Sequence, residues 1–504
     1  MRIWTGVVLL AAVAACSGAS GGSSGAKNVL RYGYDFSAQF TNLDPGKSTG
    51  DCDAIAIQPI FDTLVHRDLG GNPKPGLATS WQIGTNTLTL HIRPNVKFSD
   101  GETFDANAVK TGLEHLKTNP TYTDLATVTK IDVVDPLTVR ITMKTTPPVL
   151  LLYSMMAREG MIIAPNHINE AAKKPVGAGP FVFKSFTPGG SLSLRANPTY
   201  WAKGIYQFAG IDFKQVSVGP PQVTALRSKS VDFVSVQPSD YNGLKNDKSI
   251  GIAVQNTTTY MQLQFRFRHP FDNLKVRQAV EFALDRVQLN KVVQDGLGEV
   301  ASQTFFKASF GYNKSVANLY SYKPDRAHQL LVESGVPLPI KITMVIPGGN
   351  IASQEDQGAI IQQELNAVGF KVTIKRVLGS DIEAGYYLSG QGDAFSAARP
   401  GEPYPPVQIY DQWGRDQFVA IWSKGERADL TALSLKALST TNPSEAAKFT
   451  QQATKIVTED ALDVPIAFTP QLMAYNVAAI GGTVHGQTGV CDAPDLTGVQ
   501  VKSS

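Results

Sequence analysis

Gln354-Glu-Asp-Gln-Gly-Ala-Ile-Ile-Gln-Gln-Glu-Leu-Asn-Ala-Val-Gly-Phe-Lys-Val-Thr-Ile-Lys375 changes its hydrophobic period once, at Gly369. Before that glycine, Ile360, Ile361, Leu365 and Val368 recur at helical spacing, which predicts a helix over Gln354 to Val368. After it, Phe370, Val372 and Ile374 alternate with Lys371, Thr373 and Lys375, the period of a strand. Glycine suits the junction because, without a Cβ, it can close a helix in a left-handed conformation. The same grammar stands one unit upstream. Pro324 opens a helix that ends at Gly335, and Ile340, Ile342, Met344 and Ile346 then alternate. Helix, glycine, strand, twice over, is the punctuation of an α/β lobe.

Working outward, a further helix is expected from about Lys275 to Val293, with Val276, Val280, Ala283 and Val287 on one face. Nearer the start, Leu88, Leu90 and Ile92 alternate with Thr87, Thr89 and His91, and Ser99-Asp100-Gly101 marks a turn. Asp105 can cap a helix from Ala106 to about Leu116, its carboxylate accepting from free backbone amides. No solenoid-type repeat is present. A chain of 504 residues exceeds what one hydrophobic core supports, so two or three lobes are expected. Charged residues make up 18% and the net charge is +3, which excludes a polyanion-binding role; nucleic acid is not an expected partner.

The start of the chain bears on compartment. Arg2 precedes a short, largely apolar run, Ile3 to Ala14, below the roughly twenty residues needed to span a bilayer. It reads as a signal peptide, residues 1–15. Val13-Ala14-Ala15-Cys16 resembles a lipobox, in which Cys16 is lipidated. The Ser/Gly tract that follows, within 16–27, has the composition of a flexible tether. The expected location is the outer face of the cell membrane, held there by lipid. Two further cysteines remain, Cys52 and Cys491. In an exported protein they read either as a disulfide or as two buried free thiols. A bridge would close a loop of about 440 residues, for which the chain-entropy account gives roughly 5–6 kcal/mol.

Catalytic patterns do not hold up. Gly18-Ala-Ser20-Gly-Gly22 fits a nucleophile elbow but lies in the tether. Gly296-Leu-Gly298-Glu-Val-Ala301 fits a dinucleotide fingerprint but follows a helix. The seven histidines lack metal-ligand spacing. No enzyme activity, cofactor or metal is expected.

Five segments, in order, resemble the family 5 (peptide- and nickel-type) extracellular solute-binding proteins of ABC importers. They are Phe61-Asp-Thr-Leu-Val with Pro75-Gly-Leu-Ala-Thr-Ser-Trp81; Lys97-Phe-Ser-Asp-Gly-Glu-Thr-Phe104; Pro175-Val-Gly-Ala-Gly-Pro-Phe181 with Arg195-Ala-Asn-Pro-Thr-Tyr-Trp201; Val276-Arg-Gln-Ala-Val-Glu-Phe-Ala-Leu-Asp-Arg286; and Tyr322-Lys-Pro-Asp-Arg-Ala-His-Gln-Leu-Leu331. The resemblance implies an α/β, periplasmic-binding-protein-like fold of the large type II, three-lobe form. Lobe I would comprise 28–66, 181–275 and 475–504, lobe II the insertion 67–180, and lobe III 276–474. It places Cys52 and Cys491 in one lobe, which favours their pairing. It also implies a monomer that encloses a di- or oligopeptide between lobes I and III and delivers it to a permease. Other solutes (a metal chelate, haem, a sugar) and a surface hydrolase or sensor using the same cleft are the alternatives.

The resemblance also carries site residues. The family's ligand-facing loop matches Gly390-Gln-Gly-Asp393 and Arg399-Pro-Gly-Glu402-Pro-Tyr404-Pro-Pro406. Glu402 falls at the aspartate that pairs with a peptide's α-ammonium group. Arg399 replaces a tryptophan and is expected to face a ligand carboxylate. Tyr404, Tyr410 and Trp413 are candidates for an apolar wall, and Tyr34, Asp35 and Phe36 for the cleft floor. The glycines Gly101, Gly177 and Gly179 are expected in turns, Trp201 in packing, and Asp285-Arg286 as an ion pair near a helix end.

Overall fold

The computed structural model describes residues 28–36, 40–47, 54–68, 71–120, 122–144, 147–348, 352–378, 390–414, 418–440, 442–486 and 494–502. Cys16, Cys52 and Cys491, with the signal peptide and tether, lie outside the described residues.

Two large sheets organise the chain. One has seven strands in the order Ile250–Gln255, Gln471–Asn476, Phe233–Val236, Val29–Tyr34, Gly210–Gln215, Ser191–Ala196 and Phe181–Thr187. The other has six: Glu299–Val300, Val464–Phe468, Tyr260–Phe265, Ala394–Arg399, Ile340–Gly348 and Phe370–Leu378. The chain passes between them twice, at 256–259 and 469–470. These passages lie side by side: the Thr469 amide donates to Thr259 O at 2.8 Å and the Thr257 hydroxyl donates to Thr469 O at 2.7 Å. A third, four-stranded antiparallel sheet orders Ala78–Ile83, Thr87–Ile92, Thr138–Met143 and Val128–Asp135. The helix Ala106–Leu116 contributes Val109, Leu113 and Leu116 to its core.

The local expectations hold where a period or a cap dictates them. Asp105 caps Ala106–Leu116, accepting from the Ala108 amide at 2.9 Å. Ala352–Val368 is a helix, Gly369 follows it at φ +122°, and Phe370–Leu378 pairs in parallel with Ile340–Gly348. Ile361, Leu365 and Val368 join Met344, Ile346, Val276 and Val280 in one buried core.

Three expectations are corrected. The stretch 275–293 is two helices, Leu274–Ala283 and Arg286–Val293. Asp285 caps the second, accepting from the Val287 and Gln288 amides at 3.1 and 3.0 Å. Its own amide donates to Glu364 at 3.1 Å, so a continuous helix gives way to a cap. Asp285 and Arg286 do not pair with each other; Arg286 pairs with the buried carboxylate of Glu281. Gly101 is a turn glycine at φ +97°, but Gly177 and Gly179 serve close approach instead. A Cβ at either would stand 2.3–2.4 Å from the carbonyl oxygens of Ile60 and Pro59.

Candidate functional site

In open α/β sheets, ligands bind beyond the carboxyl ends of parallel strands. Here the first such end is Tyr34, because Val29–Tyr34 runs parallel to both Gly210–Gln215 and Phe233–Val236. The second is Arg399, because Ala394–Arg399 runs parallel to Ile340–Gly348. Of the sequence-expected residues, Tyr34, Asp35 and Phe36 fall at the first end, and Arg399, Glu402 and Tyr404 at or just beyond the second.

At the first end, Tyr34 meets Phe36 and Phe213 edge-on, with centroids 5.3 and 6.1 Å apart. Phe36 is buried and stacks on Phe40 at 4.8 Å. Gln215 fixes the backbone turn. Its Oε1 accepts from the Phe36 amide at 2.7 Å, and its Nε2 donates to Asp35 Oδ1 at 2.6 Å. Asp35 Oδ2 accepts from the Val218 amide at 3.1 Å. Asp35 is thus held by the sheet's own loops.

At the second end, Arg399 Nη2 donates to Asp411 Oδ2 at 2.8 Å, and the arginine side chain is only 12% exposed. Arg399 lies directly opposite Tyr260 on the neighbouring strand, so both side chains share one face of the six-stranded sheet. The loop beyond is gripped from two directions. The Thr258 hydroxyl, in the passage between the sheets, donates to Gly401 O at 2.6 Å. The Glu402 amide donates to Gln408 Oε1, one turn into the helix Pro405–Trp413. The Tyr404 ring stacks on Tyr153 of the four-stranded unit at 4.8 Å and meets Phe310 at 5.4 Å. Burial raises the Tyr404 hydroxyl above its ordinary value. Tyr410 is buried with Leu150 and Leu438, and Trp413 with Phe305, Ile409 and Leu430. Arg399, Glu402 and Tyr404 therefore share one loop, whereas Tyr410 and Trp413 sit in the packing behind it.

Several polar groups here escaped the sequence reading. The strand Tyr260–Phe265 is buried along its whole length, with Gln262 and Gln264 on the same face as Tyr260. The Tyr260 hydroxyl donates to Asp463 at 2.8 Å and accepts from Gln412 at 2.8 Å. Burial pushes the Asp463 carboxyl up to about 6, against the lowering effects of the Tyr260 hydroxyl and Arg399. A small cavity adjoins Glu402, walled by Phe305, Phe306 and Phe468 and reached by Thr304 and Gln408. The polar-apolar alternation of Tyr-Met-Gln-Leu-Gln-Phe was the one sequence signal for this layer.

A separate cavity of about 230 Å³ lies between the helix Ala54–Phe61 and residues 494–497, lined by Tyr32, Phe181, Tyr206 and Phe213. Its buried carboxylate, Asp62, is already occupied. It accepts from the Thr63 amide, Tyr200 hydroxyl and Trp201 indole at 2.8, 2.9 and 3.0 Å, and pairs with His66. That constellation holds the fold. No group of three metal-ligating side chains exists among the described residues. Nor, among them, is any helix long and apolar enough to cross a membrane.

The sequence profile of bacterial extracellular solute-binding proteins, family 5 (middle), matches residues 72–419. This chain is a family 5 extracellular solute-binding protein. Members of this family deliver small solutes to ABC permeases. The solute-binding protein is 26% identical over 482 residues to the glutathione-binding protein GsiB of Salmonella paratyphi A, covering 90% of this chain and 91% of that one. Among solved structures it is similar to AgaA of A. tumefaciens R10, in complex with agropinic acid. The TM-score is 0.80 and the identity 23%, over 94% of this chain and 99% of that one. It is also similar to DppA of Helicobacter pylori, in complex with the peptide STSA. There the TM-score is 0.78 and the identity 22%, over 94% and 98% of the two chains. These likenesses give the solute-binding protein the periplasmic-binding-protein fold.

Proposed function

We propose that this solute-binding protein captures a di- or oligopeptide between the two strand ends and passes it to an ABC permease. The observation that supports this most is the setting of Glu402. Its loop is fixed through Gly401 O and the Glu402 amide, it borders an aromatic-walled cavity, and Thr258 ties it to the passage between the sheets. A carboxylate so placed can hold an ammonium group through a charge-assisted hydrogen bond once water is excluded. Arg399, largely buried and already paired with Asp411, is proposed to share its guanidinium with a ligand carboxylate. The peptide carried by the H. pylori neighbour and the glutathione named for the Salmonella relative agree in class with such a solute.

The lobes are assigned around the sheets. Lobe I is built on the seven-stranded sheet, lobe III on the six-stranded sheet, and lobe II on the inserted four-stranded one. With hinges at 256–259 and 469–470, lobe III would run over about 260–468 instead of the expected 276–474, because Tyr260–Phe265 pairs within the six-stranded sheet and Gln471–Asn476 within the seven-stranded one. Cys16 is the lipid attachment and the protein acts as a monomer outside the cell. Cys52 and Cys491 are proposed to pair. Ile55 and Leu496, three and five residues beyond them, line one cavity and belong to one core. Titration of unfolded, unreduced protein should find neither thiol free.

The direct test is Glu402→Gln, measured by calorimetry with free-amine and N-acetylated peptides. The substitution should weaken binding of the free-amine form by about 1.5–3 kcal/mol and leave the acetylated form unchanged. Equal affinities of variant and parent for the free amine would refute the ammonium clamp.

A further inference from the structure

The cavity beside Glu402 has a volume of about 10 Å³, close to the roughly 10–15 Å³ that a single water-sized oxygen requires. Two of the buried side chains that line it carry hydrogen-bonding atoms without a protein partner. Thr304, 3% exposed, has no partner for Oγ1. Gln408, 1% exposed, has none for Nε2. The orientation of the Gln408 amide is fixed, because its Oε1 accepts from the Glu402 backbone amide, which can only donate. Its Nε2, on a residue that lines the cavity, is therefore the donor left without an acceptor. A buried donor without a partner carries a desolvation cost, so an oxygen acceptor placed there recovers a full hydrogen bond. Phe305, Phe306 and Phe468 shield the spot and strengthen any bond made in it.

The geometry points to an oxygen-reading subsite: Gln408 Nε2 and Thr304 Oγ1 donate to one ligand oxygen on the carbon next to the ammonium held by Glu402. This rests on the ammonium-clamp reading above and deepens it. The ligand head is then an α-aminoacyl group, with ammonium and carbonyl (or carboxylate) one carbon apart. A simple amine or polyamine would satisfy Glu402 but leave both donors unpaired. The donors are neutral and only two, which suits one carbonyl oxygen.

The test uses the full chain with trialanine and with its analogue carrying sulfur in place of the first carbonyl oxygen, a larger and weaker acceptor. The parent protein should prefer the oxygen form by about tenfold. Thr304→Val, which removes only the hydroxyl, should weaken trialanine by about tenfold and shrink the oxygen-over-sulfur preference to twofold or less. Gln408→Glu keeps the acceptor for the Glu402 amide, removes the donor, and should act in the same direction. Thermal unfolding of Thr304→Val should match the parent, since the deleted hydroxyl has no protein partner. If the parent binds both peptides within twofold, or Thr304→Val discriminates as the parent does, the cavity holds only a structural water and the subsite is wrong. If the folded parent binds neither peptide, the peptide reading falls along with it.

Discussion

Where Val29–Tyr34 ends, Asp35 and the Phe36 amide find partners within their own sheet. Where Ala394–Arg399 ends, Gln408 Nε2, Gln412 Oε1, Asp463 Oδ1 and Thr304 Oγ1 are buried without one. The first end is a finished surface: its shape and hydrogen bonds are set before any solute arrives. The second is anchored at its backbone but leaves side-chain donors and acceptors to be completed. In the proposed binding mode the first end is a rigid floor and the second a reading wall, and changes at the two ends should fail differently. Floor changes should cost stability and all ligands alike, whereas wall changes should cost particular ligands.

The largest expected effect removes packing from behind the wall. Trp413 is 4% exposed among Phe305, Ile409 and Leu430, so Trp413→Ala should destabilise the fold by about 3–5 kcal/mol. Chemical denaturation measures it. A loss under 1 kcal/mol combined with a large loss of ligand would return Trp413 to the ligand surface.

Next comes the floor. Gln215→Ala strips Asp35 Oδ1 and the Phe36 amide of their shared partner. An unsatisfied polar group costs about 1–3 kcal/mol, reduced here because the site is partly exposed, so about 2 kcal/mol of stability is expected to go. Affinity for every bound peptide should fall by a similar factor. A variant that changes the order of ligand preference would contradict the idea of an indifferent floor.

The third prediction concerns charge in the wall. Burial raises Asp463 to about 6 from an ordinary value near 3.8. A carboxyl raised on folding binds its proton more tightly in the folded state. Its contribution to stability is therefore fully present below about pH 4 and is lost as pH rises through about 6. Glu281 and Glu364, both raised to about 7 chiefly by burial, act in the same direction over pH 4.5–7. Asp463→Asn should flatten part of this decline and add about 1–2 kcal/mol at pH 7.5. Denaturation curves at pH 4.5, 6 and 7.5 decide it, and a parallel profile in the variant would show that Asp463 is not the titrating group.

These two ends were unequally legible in the sequence. The helix Ala352–Val368 and the strand after Gly369 follow from periods contained within a few turns of chain, and Asp105 announces its helix by a local hydrogen bond. The break before Asp285 was hidden because an apolar stripe continues across it, although Val287, counted in that stripe, is 67% exposed. Glu402 and Arg399 came from resemblance to a family loop, not from period or spacing. Aromatic density after them was ambiguous between wall and core, and burial placed Tyr410 and Trp413 behind the loop. Thr304 and Gln408 could not be paired by reading, since nothing local indicates that a loop near 304 meets a helix near 408. Gln215 was equally hidden, because its two bonds reach residues far away in the chain.

The inserted unit gives the smallest effect and the sharpest contrast. It touches the wall through the Tyr153–Tyr404 stack and through Leu150 beside Tyr410. A Cβ at Gly71 would stand 2.0 Å from the Pro403 Cβ, so that loop also lies against the wall. The Asp124 carboxyl, raised by burial and by nearby Asp411, accepts from the Ser154 hydroxyl in the same region. An aromatic pair of this kind adds about 0.5–1.5 kcal/mol beyond its buried area. If the inserted unit steadies the Glu402 loop, Tyr153→Ala should weaken peptide binding by about 1 kcal/mol, mainly through faster release. Stopped-flow dissociation rates measure this directly. Tyr153→Phe keeps the stack and should release at the parent's rate. Equal release rates for alanine and phenylalanine would mean that the wall stands without the inserted unit, and that its openness is set by the six-stranded sheet alone.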